Sequence, residues 1–426
     1  MTAAYHAESG PISPRCRSDN RVFDDAVQAD YRLSVIADEA RFQALESEWC
    51  ELLSRVPGAT VFCRWLWHCN WWSVYRSAGD RLHIVTVRDD DGRLVGLLPA
   101  YLKRQRFTGL FTLMFLGTGE SRRDEVVTEY LDFLVDPEHR AASLALLAEH
   151  LRGNGSWYRI EFRCLLDDAN LVLLARNAAV EGLELHAAGA RFEVDLAGSE
   201  SDYLARLAPS RAARIRRSLR ALERDGSPVL DSLLAAEATG SADLAEATIA
   251  AGVAGTADER FDVAFRDLME LGHERQMAKG RRSIFASERF REFHRRVGRS
   301  FLAAGQADIL RFRLGPRLLA VIYVFEDNNV CHYYQSGFSS QGANRYLSLT
   351  TAHLALMQHC RARGIHRYDF MRGDIDSYKA DLGCICSPMW KLEAVQRPLP
   401  GFLYRSTQAV RQRLGRLRRS VSVWLN

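Results

Sequence analysis

The sequence lacks the signatures that define several protein classes. Its nine cysteines include no C-x-x-C pair and no Cys/His cluster with zinc-site spacing, so neither a metal centre nor a disulfide framework is predicted. No apolar run approaches the ~20 residues needed to cross a bilayer. The first residues lack the basic-then-apolar pattern of a signal peptide. We therefore expect a cytoplasmic protein with free thiols and no bound metal.

An excess of charge of one sign is also missing from the chain as a whole. The 57 lysines and arginines against 53 acidic residues give a net charge of +4, too little to mark a general nucleic-acid-binding protein. Positive charge is concentrated locally instead. A helix predicted over residues 210–225 carries six arginines, namely Arg211, Arg214, Arg216, Arg217, Arg220 and Arg224. It is either a solvated helix face or a surface for phosphate-bearing ligands, acyl carriers or nucleic acid.

A second basic segment lies at the end of the sequence. Residues 402–426 interleave arginines with apolar residues at helical spacing and contain no acidic residue. Such a helix can lie on an anionic membrane surface, or it can pack on its own protein with the arginines outward. Membrane association through this tail is therefore an alternative to a purely cytoplasmic location.

The richest stretch of the sequence runs from Arg311 to Gly383. Two strand-like runs meet at a turn over residues 326–329, and an amphipathic helix follows from about residue 345 to a glycine at Gly364. A short strand over residues 365–371 then leads into a polar loop. This order of strand, strand, helix and strand is the core order of the GNAT acyltransferase fold.

Three motifs in this stretch carry a resemblance to a known family. They are HYYQSGF at residues 332–338, the helix start at Ser348, and DFMRGDIDSYKADLG at residues 369–383. The sequence resembles the GNAT-like acyltransferases of the CelD/BcsL type, linked to cellulose and exopolysaccharide biosynthesis, and is similar to Fem-type aminoacyltransferases. In that family the last motif is an aspartate-aromatic-x-arginine-glycine run followed by tyrosine-lysine, which is matched here by Asp369, Phe370, Arg372, Gly373, Tyr378 and Lys379.

The resemblance implies an α/β architecture: a tandem GNAT-like fold with two mixed-sheet halves flanked by helices. We expect a disordered lead over residues 1–29, an N-terminal half over 30–198, a C-terminal acetyltransferase half over 199–396 and a basic tail over 397–426. A predicted strand over residues 129–135 contains YLDF, which echoes RYDF at residues 367–370. The echo agrees with two related halves, although it is too short to prove a duplication.

The resemblance also implies where an acyl donor binds. GNAT enzymes pair the pantetheine arm with a splayed strand and seat the pyrophosphate on backbone N–H groups at the start of the next helix. By element order the donor-binding residues are His332, Tyr334, Ser336, Gln341, Gly342, Ala343, Asn344 and Arg345. This loop lacks the second glycine of the usual phosphate-binding loop. An acyl carrier protein or an aminoacyl-tRNA therefore remains an alternative to acyl-CoA, with acetyl-CoA as the simplest cosubstrate and no permanently bound cofactor.

Catalysis in such enzymes depends on positioning, a base and a proton donor. We predict Asp374 as the base, Tyr378 as proton donor to the leaving group and Lys379 as the charge that neutralises phosphate or oxyanion. The predicted substrate-binding residues are Asp369, Arg372 and His273. Alternatively, Asp369, Arg372 and Asp374 form a salt-bridged structural turn.

The predicted function is transfer of an acyl group, most simply acetyl, from acyl-CoA to an amine or hydroxyl of a small-molecule or saccharide acceptor. The resemblance places this in cellulose, exopolysaccharide or cell-envelope biosynthesis. One alternative is a Fem-like aminoacyltransferase, with tRNA as a less favoured partner. A second alternative is a non-catalytic scaffold of a membrane polysaccharide synthase complex.

Overall fold

The computed structural model describes residues 30–153, 155–234, 256–340, 343–377 and 379–395. The predicted lead over 1–29 and the predicted tail helix over 402–426 lie outside these ranges. The same holds for three predicted site residues, Gln341, Gly342 and Tyr378, and for the side chain of Asn344. What the sequence indicates for these residues stays a prediction.

The first half of the chain alternates strands and helices. Its elements are β1 (Arg32–Ile36), α1 (Glu39–Ala44), α2 (Glu46–Leu53), α3 (Trp65–Tyr75), β2 (Arg81–Leu82), β3 (Ile84–Arg88), β4 (Leu94–Leu98), β5 (Ala100–Arg104), β6 (Phe111–Phe115), β7 (Leu134–Val135), α4 (Arg140–Gly153), β8 (Arg159–Leu166), α5 (Asn170–Arg176) and β9 (Glu184–Asp195).

The second half has the same alternating character. Its elements are α6 (Glu200–Ala205), α7 (Pro209–Asp225), β10 (Pro228–Asp231), α8 (Ala257–Met277), α9 (Glu288–Ala303), β11 (Ala307–Leu314), β12 (Arg317–Asp327), β13 (Val330–Phe338), α10 (Ala343–Tyr346), α11 (Ser348–Ala362), β14 (Arg367–Gly373) and β15 (Ile385–Val395). The predicted arginine-rich helix is α7. The helix predicted from residue 345 is divided into α10 and α11, because Leu347 has a left-handed backbone with φ +48°.

Most strands join one mixed sheet of eleven strands, and β1, β3, β4 and β7 form a separate small sheet. The order in the large sheet is β10-β11-β12-β13-β14-β9-β15-β8-β6-β5-β2. Read outward from the central pair β9 and β15, one side runs β14, β13, β12 and the other runs β8, β6, β5. Each side has one parallel pair, β13 with β14 and β6 with β8. This repetition confirms the predicted tandem GNAT-like fold.

The two halves exchange their last strands. Strand β9, which ends the first half, pairs with β14 of the second half, and β15, which ends the second half, pairs with β8 of the first. The exchanged strands also pair with each other. The predicted two sheets are therefore continuous across the junction between the halves.

Buried side chains form two apolar clusters on the large sheet. One cluster joins the first half to α8 and α9, where Trp67 of α3 packs edge-on against Phe293 with ring centres 5.0 Å apart. The other lies between the second-half strands and the helices α6, α7 and α11. The second-half sheet is thus covered on both faces, and polar groups between its strands are shielded from water.

The predicted strand over residues 129–135 is mostly wrong. Only Leu134–Val135 is strand, and it pairs with β4 of the small sheet. Tyr130 has a φ of +62°, which an extended strand does not allow. By position in the sheet the counterpart of β14 is β8, so the YLDF and RYDF echo does not mark equivalent strands.

Candidate functional site

Strands β13 and β14 are parallel neighbours that soon separate. They pair from Val330 with Arg367 to His332 with Asp369, and no further. Strand β14 then carries a bulge, where its register with β9 shifts between Asp369 and Arg372, and Met371 has a φ of +61°. The facing edges of the two strands diverge beyond this point. We call the space between them the β13/β14 wedge.

Asp369, fully buried, lies at the narrow end of this wedge. Its carboxylate accepts hydrogen bonds from His332 Nδ1 at 2.9 Å, Arg191 Nε at 3.0 Å, the Met371 N–H at 2.7 Å and the Tyr130 hydroxyl at 3.3 Å. Burial by itself would raise the pKa of Asp369, but the His332 bond and the Arg191 charge hold it below its ordinary value. The carboxylate is therefore ionised at neutral pH.

His332 is oriented by this carboxylate. Its side chain is 1% exposed, and its ring lies between Phe62 at 5.8 Å and Tyr130 at 6.1 Å. Among the described residues no group bonds to the Nε2 atom. A carboxylate on one imidazole nitrogen with the other nitrogen unengaged is the arrangement that general-base histidines use.

A segment of the first half contacts both strands of the wedge. The Val127 N–H donates to the Tyr334 hydroxyl on β13 at 3.1 Å, and Glu129 accepts from the Arg372 N–H on β14 at 2.8 Å. Burial raises the pKa of Glu129 despite the neighbouring charge of Arg372. The site is therefore built from both halves of the chain.

Two predicted donor-binding side chains on β13 already have partners inside the protein. The Tyr334 hydroxyl lies 3.0 Å from His294 Nε2, and burial lowers the pKa of His294 to about 3. The Ser336 hydroxyl lies 2.6 Å from that of Tyr333. Both hydroxyl groups are therefore engaged within the protein, and His294 is neutral at physiological pH.

Lys379 holds the far end of β14. Its ammonium donates to the carbonyls of Phe370 at 2.7 Å and Arg372 at 2.6 Å, and burial lowers its pKa. The Arg372 side chain pairs with Glu129 at 3.2 Å. The alternative prediction of a salt-bridged turn formed by Asp369, Arg372 and Asp374 is therefore wrong, because Asp369 and Arg372 pair with other residues.

The structure brings together some predicted site residues and leaves others apart. His332, Tyr334, Asp369, Arg372 and Lys379 lie along the wedge.

Asp374 and His273 do not join them. Asp374 is exposed in a turn after β14, where its carbonyl accepts from the Ser377 N–H at 2.9 Å. His273 is exposed near the end of α8.

Sequence reasoning missed three residues at the site: Glu129, Tyr130 and Arg191. The only signal near them was the YLDF echo, since Tyr130 and Asp369 come from the two echoing segments and meet through a hydrogen bond.

The predicted phosphate loop has an unusual charge distribution. Arg345 forms an ion pair with Asp225 of α7 at 2.6 Å, and the Tyr346 hydroxyl donates to the same carboxylate at 2.6 Å. Helix α11 then begins without a side-chain cap, and within the described ranges the buried Ser348 hydroxyl has no hydrogen-bond partner. The start of α11 thus keeps free N–H groups and a hydroxyl for an anion.

One buried cluster elsewhere has metal-type ligands. Glu326, Cys331 and Cys360 place three such atoms within 4.8 Å of one another. Glu326 is already paired with Arg363 at 2.8 Å, and burial keeps the pKa of Cys331 well above its ordinary value. A protonated thiol beside an engaged carboxylate does not fit a metal site.

Comparison with known families bears on this arrangement. Residues 209–380 match the family model described as an acetyltransferase (GNAT) domain. The matched region lies in the second half of the chain. The match begins at α7 and ends just after Lys379, so it contains the whole β13/β14 wedge.

Solved structures resemble the chain over most of its length. The crystal structure of FemX aligns with a TM-score of 0.55 at 12% identity, covering 84% of this chain and 97% of FemX. At this identity the likeness shows a shared fold. The C-terminal domain of a putative lysylphosphatidylglycerol synthetase from Agrobacterium fabrum aligns at 0.46 and 13% identity, covering 87% of this chain and 96% of that domain. A tandem GNAT protein from the clavulanic acid pathway aligns at 0.41 and 14%, covering 86% and 100%. These last two similarities are too low to carry an argument.

Two further comparisons complete this picture. No curated protein matches the chain significantly in sequence. Across the described ranges, no helix combines the length and apolar character needed to cross a membrane.

Proposed function

We propose that this protein is an acyltransferase that binds its donor in the β13/β14 wedge and transfers the acyl group to an amine or hydroxyl. The observation that carries the proposal is the divergence of β13 and β14, two parallel strands joined through α11, within the region that matches the GNAT-domain model. Diverging strand edges offer backbone N–H and C=O groups to an amide-containing donor arm. The uncapped start of α11 offers N–H groups to its phosphate.

In this proposal His332 is the base. Asp369 fixes its Nδ1 atom, and the Nε2 atom at the narrow end of the wedge takes a proton from the acceptor as the new bond to the acyl carbon forms. The C–S bond of a thioester donor then breaks, and the thiolate is protonated by Tyr378, which keeps its predicted role. Asp374 is the less suitable base because it is exposed beyond β14 and has no residue to orient it among those described.

Other residues act as positioning residues. Lys379 fixes the carbonyls at the end of β14, and Glu129 holds the Arg372 N–H. Since His332 is 1% exposed and its ring lies 6.1 Å from that of Tyr130, the proposal requires the segment from Val127 to Tyr130 to open when the substrates bind. Closure of that segment would exclude water from the acyl donor.

The finer parts of the prediction rest on the sequence resemblance. They are acyl-CoA as cosubstrate, a saccharide or small-molecule acceptor, and a role in polysaccharide or cell-envelope biosynthesis. Aminoacyl transfer from tRNA and a scaffold role remain the alternatives.

The test compares two single-residue variants of the full chain. Thiol release from a panel of acyl thioesters is followed with amine and sugar acceptors, for the wild type, His332→Asn and Asp374→Asn. We expect His332→Asn to lower kcat by about 100-fold or more, because the group that takes the acceptor's proton is removed. Asp374→Asn should leave kcat within about twofold, as a surface change away from the site.

The urea unfolding midpoint of each variant is measured as the control for correct folding. If Asp374→Asn alone abolishes turnover, the base is Asp374. The proposal as a whole is refuted if the folded wild type neither transfers an acyl group nor binds any donor of the panel.

A further inference from the structure

We propose that the acyl donor is delivered by an acidic carrier protein, which docks on the exposed arginines of α7. This inference rests on the proposed acyl transfer and names the class of donor. The docking surface, called here the arginine face, consists of Arg214, Arg216, Arg217, Arg220 and Arg224.

Helix α7 lies beside the mouth of the wedge. Near its start, Arg211 pairs with Asp381 in the loop after β14 at 2.9 Å. At its end, Asp225 pairs with Arg345 before α11 at 2.6 Å. The two segments that follow the diverging strands, α10 after β13 and the loop after β14, are therefore both tied to this one helix. A donor arm that leaves the wedge passes next to α7.

The arginine face points to solvent. The opposite side of α7, which includes Ala212, Ile215 and Leu222, is buried in the core against the second-half sheet. Within the described ranges no carboxylate pairs with any member of the face. Some exposed arginines elsewhere do have such partners, for example Arg296 with Glu292 at 2.7 Å and Arg176 with Asp167. The positive charge of α7 is thus left available for a partner.

The neighbouring loop fits a carrier-bound arm better than free coenzyme A. Coenzyme A brings a diphosphate and a further phosphate, whereas residues 339–350 contain one cation, Arg345. Asp225 already neutralises that cation, and a hydrogen bond from Tyr346 lowers the pKa of Asp225 and keeps it ionised. A carrier-bound phosphopantetheine has a single phosphate, which the start of α11 and the Ser348 hydroxyl can accept.

The shape of the face favours a protein over RNA. The five arginines span eleven residues of helix, and the ten steps between the first and the last amount to about 15 Å at the rise of an α-helix. Acidic residues flank the arginine face at both ends, with Asp381 near the start and Glu223 and Asp225 at the end. A long phosphate backbone would run onto these acids, whereas one acidic helix of a carrier protein matches the length of the face.

The experiment measures binding and transfer with two donors that carry the same acyl group. The full-length protein is titrated with a fluorescently labelled bacterial acyl carrier protein bearing acetyl-phosphopantetheine, at low and moderate salt, and in parallel with acetyl-CoA. The test variant is Arg214→Gln/Arg217→Gln/Arg220→Gln. The matched control is Arg32→Gln/Arg41→Gln/Arg106→Gln, which removes three exposed arginines of the first half.

We expect the carrier to bind more tightly than acetyl-CoA, and added salt to weaken it because exposed charges are screened. The test variant should weaken carrier binding by about tenfold, whereas the control stays within about twofold. Transfer from a small thioester, S-acetyl-N-acetylcysteamine, should be unchanged in both variants, since it does not reach α7.

Each contrary outcome has a distinct meaning. Equal affinity for acetyl-CoA and carrier, unaffected by the test variant, overturns the inference. Binding of tRNA that the test variant loses, with no binding of the carrier, replaces the protein partner by RNA. Absence of transfer from every donor, including the small thioester, refutes the proposed function rather than the docking surface alone.

Discussion

Replacing Asp369 by asparagine should destabilise the protein strongly. The carboxylate is fully buried and is the shared partner of His332, Arg191, Tyr130 and the Met371 N–H. Asparagine keeps the shape of the side chain but removes the negative charge. One of its two ends becomes an N–H donor that faces other donors.

The expected loss of unfolding free energy follows from the buried charge of Arg191, which the substitution leaves with one anionic partner fewer. Arg191, with a side chain only 10% exposed, would keep Glu193 at 2.9 Å as its anionic partner and lose the charge of Asp369. Removing one partner of a buried ion pair costs about 3–5 kcal/mol. Because the folded state lowers the pKa of Asp369, its contribution is present above the unfolded-state pKa of about 3.9 and is lost as the pH falls below it.

Urea unfolding at pH 7, followed by circular dichroism, measures this loss directly. The double variant with Arg191→Met tests the coupling, since removing both charges should cost less than the sum of the two single changes. Asp374→Asn is the matched control, because the same substitution at an exposed carboxylate should leave the midpoint unchanged. A loss below about 1 kcal/mol for Asp369→Asn, or additive effects in the double variant, would show that the ion pair between Asp369 and Arg191 does not stabilise the folded state as argued.

Two further predictions concern stability. Burial raises the pKa of Asp308 to about 7, so its contribution to stability is complete below the unfolded-state pKa of about 3.9 and is lost as the pH rises through about 7. Asp308→Asn should therefore flatten the pH dependence of the urea midpoint between about pH 4 and 7, and an unchanged slope would contradict this assignment. Gly337→Ala should cost about 1–3 kcal/mol, because its new Cβ would lie 2.6 Å from the Gly272 nitrogen on α8. Gly153→Ala, where nothing lies within 4 Å, is the control and should not lower the midpoint.

The parts of the fold that the sequence predicted well are those written in local patterns. Alternation marked β12 and β13, helical spacing marked α7 and α11, and the matched motif placed Asp369 and Lys379 at one strand end. These signals depend on neighbours within a few residues, so a single sequence contains them.

The residues that the first half contributes to the site could not be predicted from local sequence patterns. Tyr130 meets Asp369 across 239 residues and Arg191 meets it across 178, and no local spacing encodes such contacts. The left-handed backbone of Tyr130 is also the reason that the strand predicted over residues 129–135 is mostly wrong. Asp374 directly follows the matched residues Arg372 and Gly373 in the sequence, but the bulge in β14 decides which side chains face the wedge, and that depends on pairing with β9.

The exchange of β9 and β15 gives the chain the topology of a domain-swapped dimer whose two copies are covalently joined. A half expressed alone would expose the edge of β8 or β14 that the missing strand covers, and such an open edge recruits other chains. Separately produced halves should therefore associate with each other, and their assembly would depend on concentration. In the single chain the partner strand is always present, so the site that both halves build forms at any dilution.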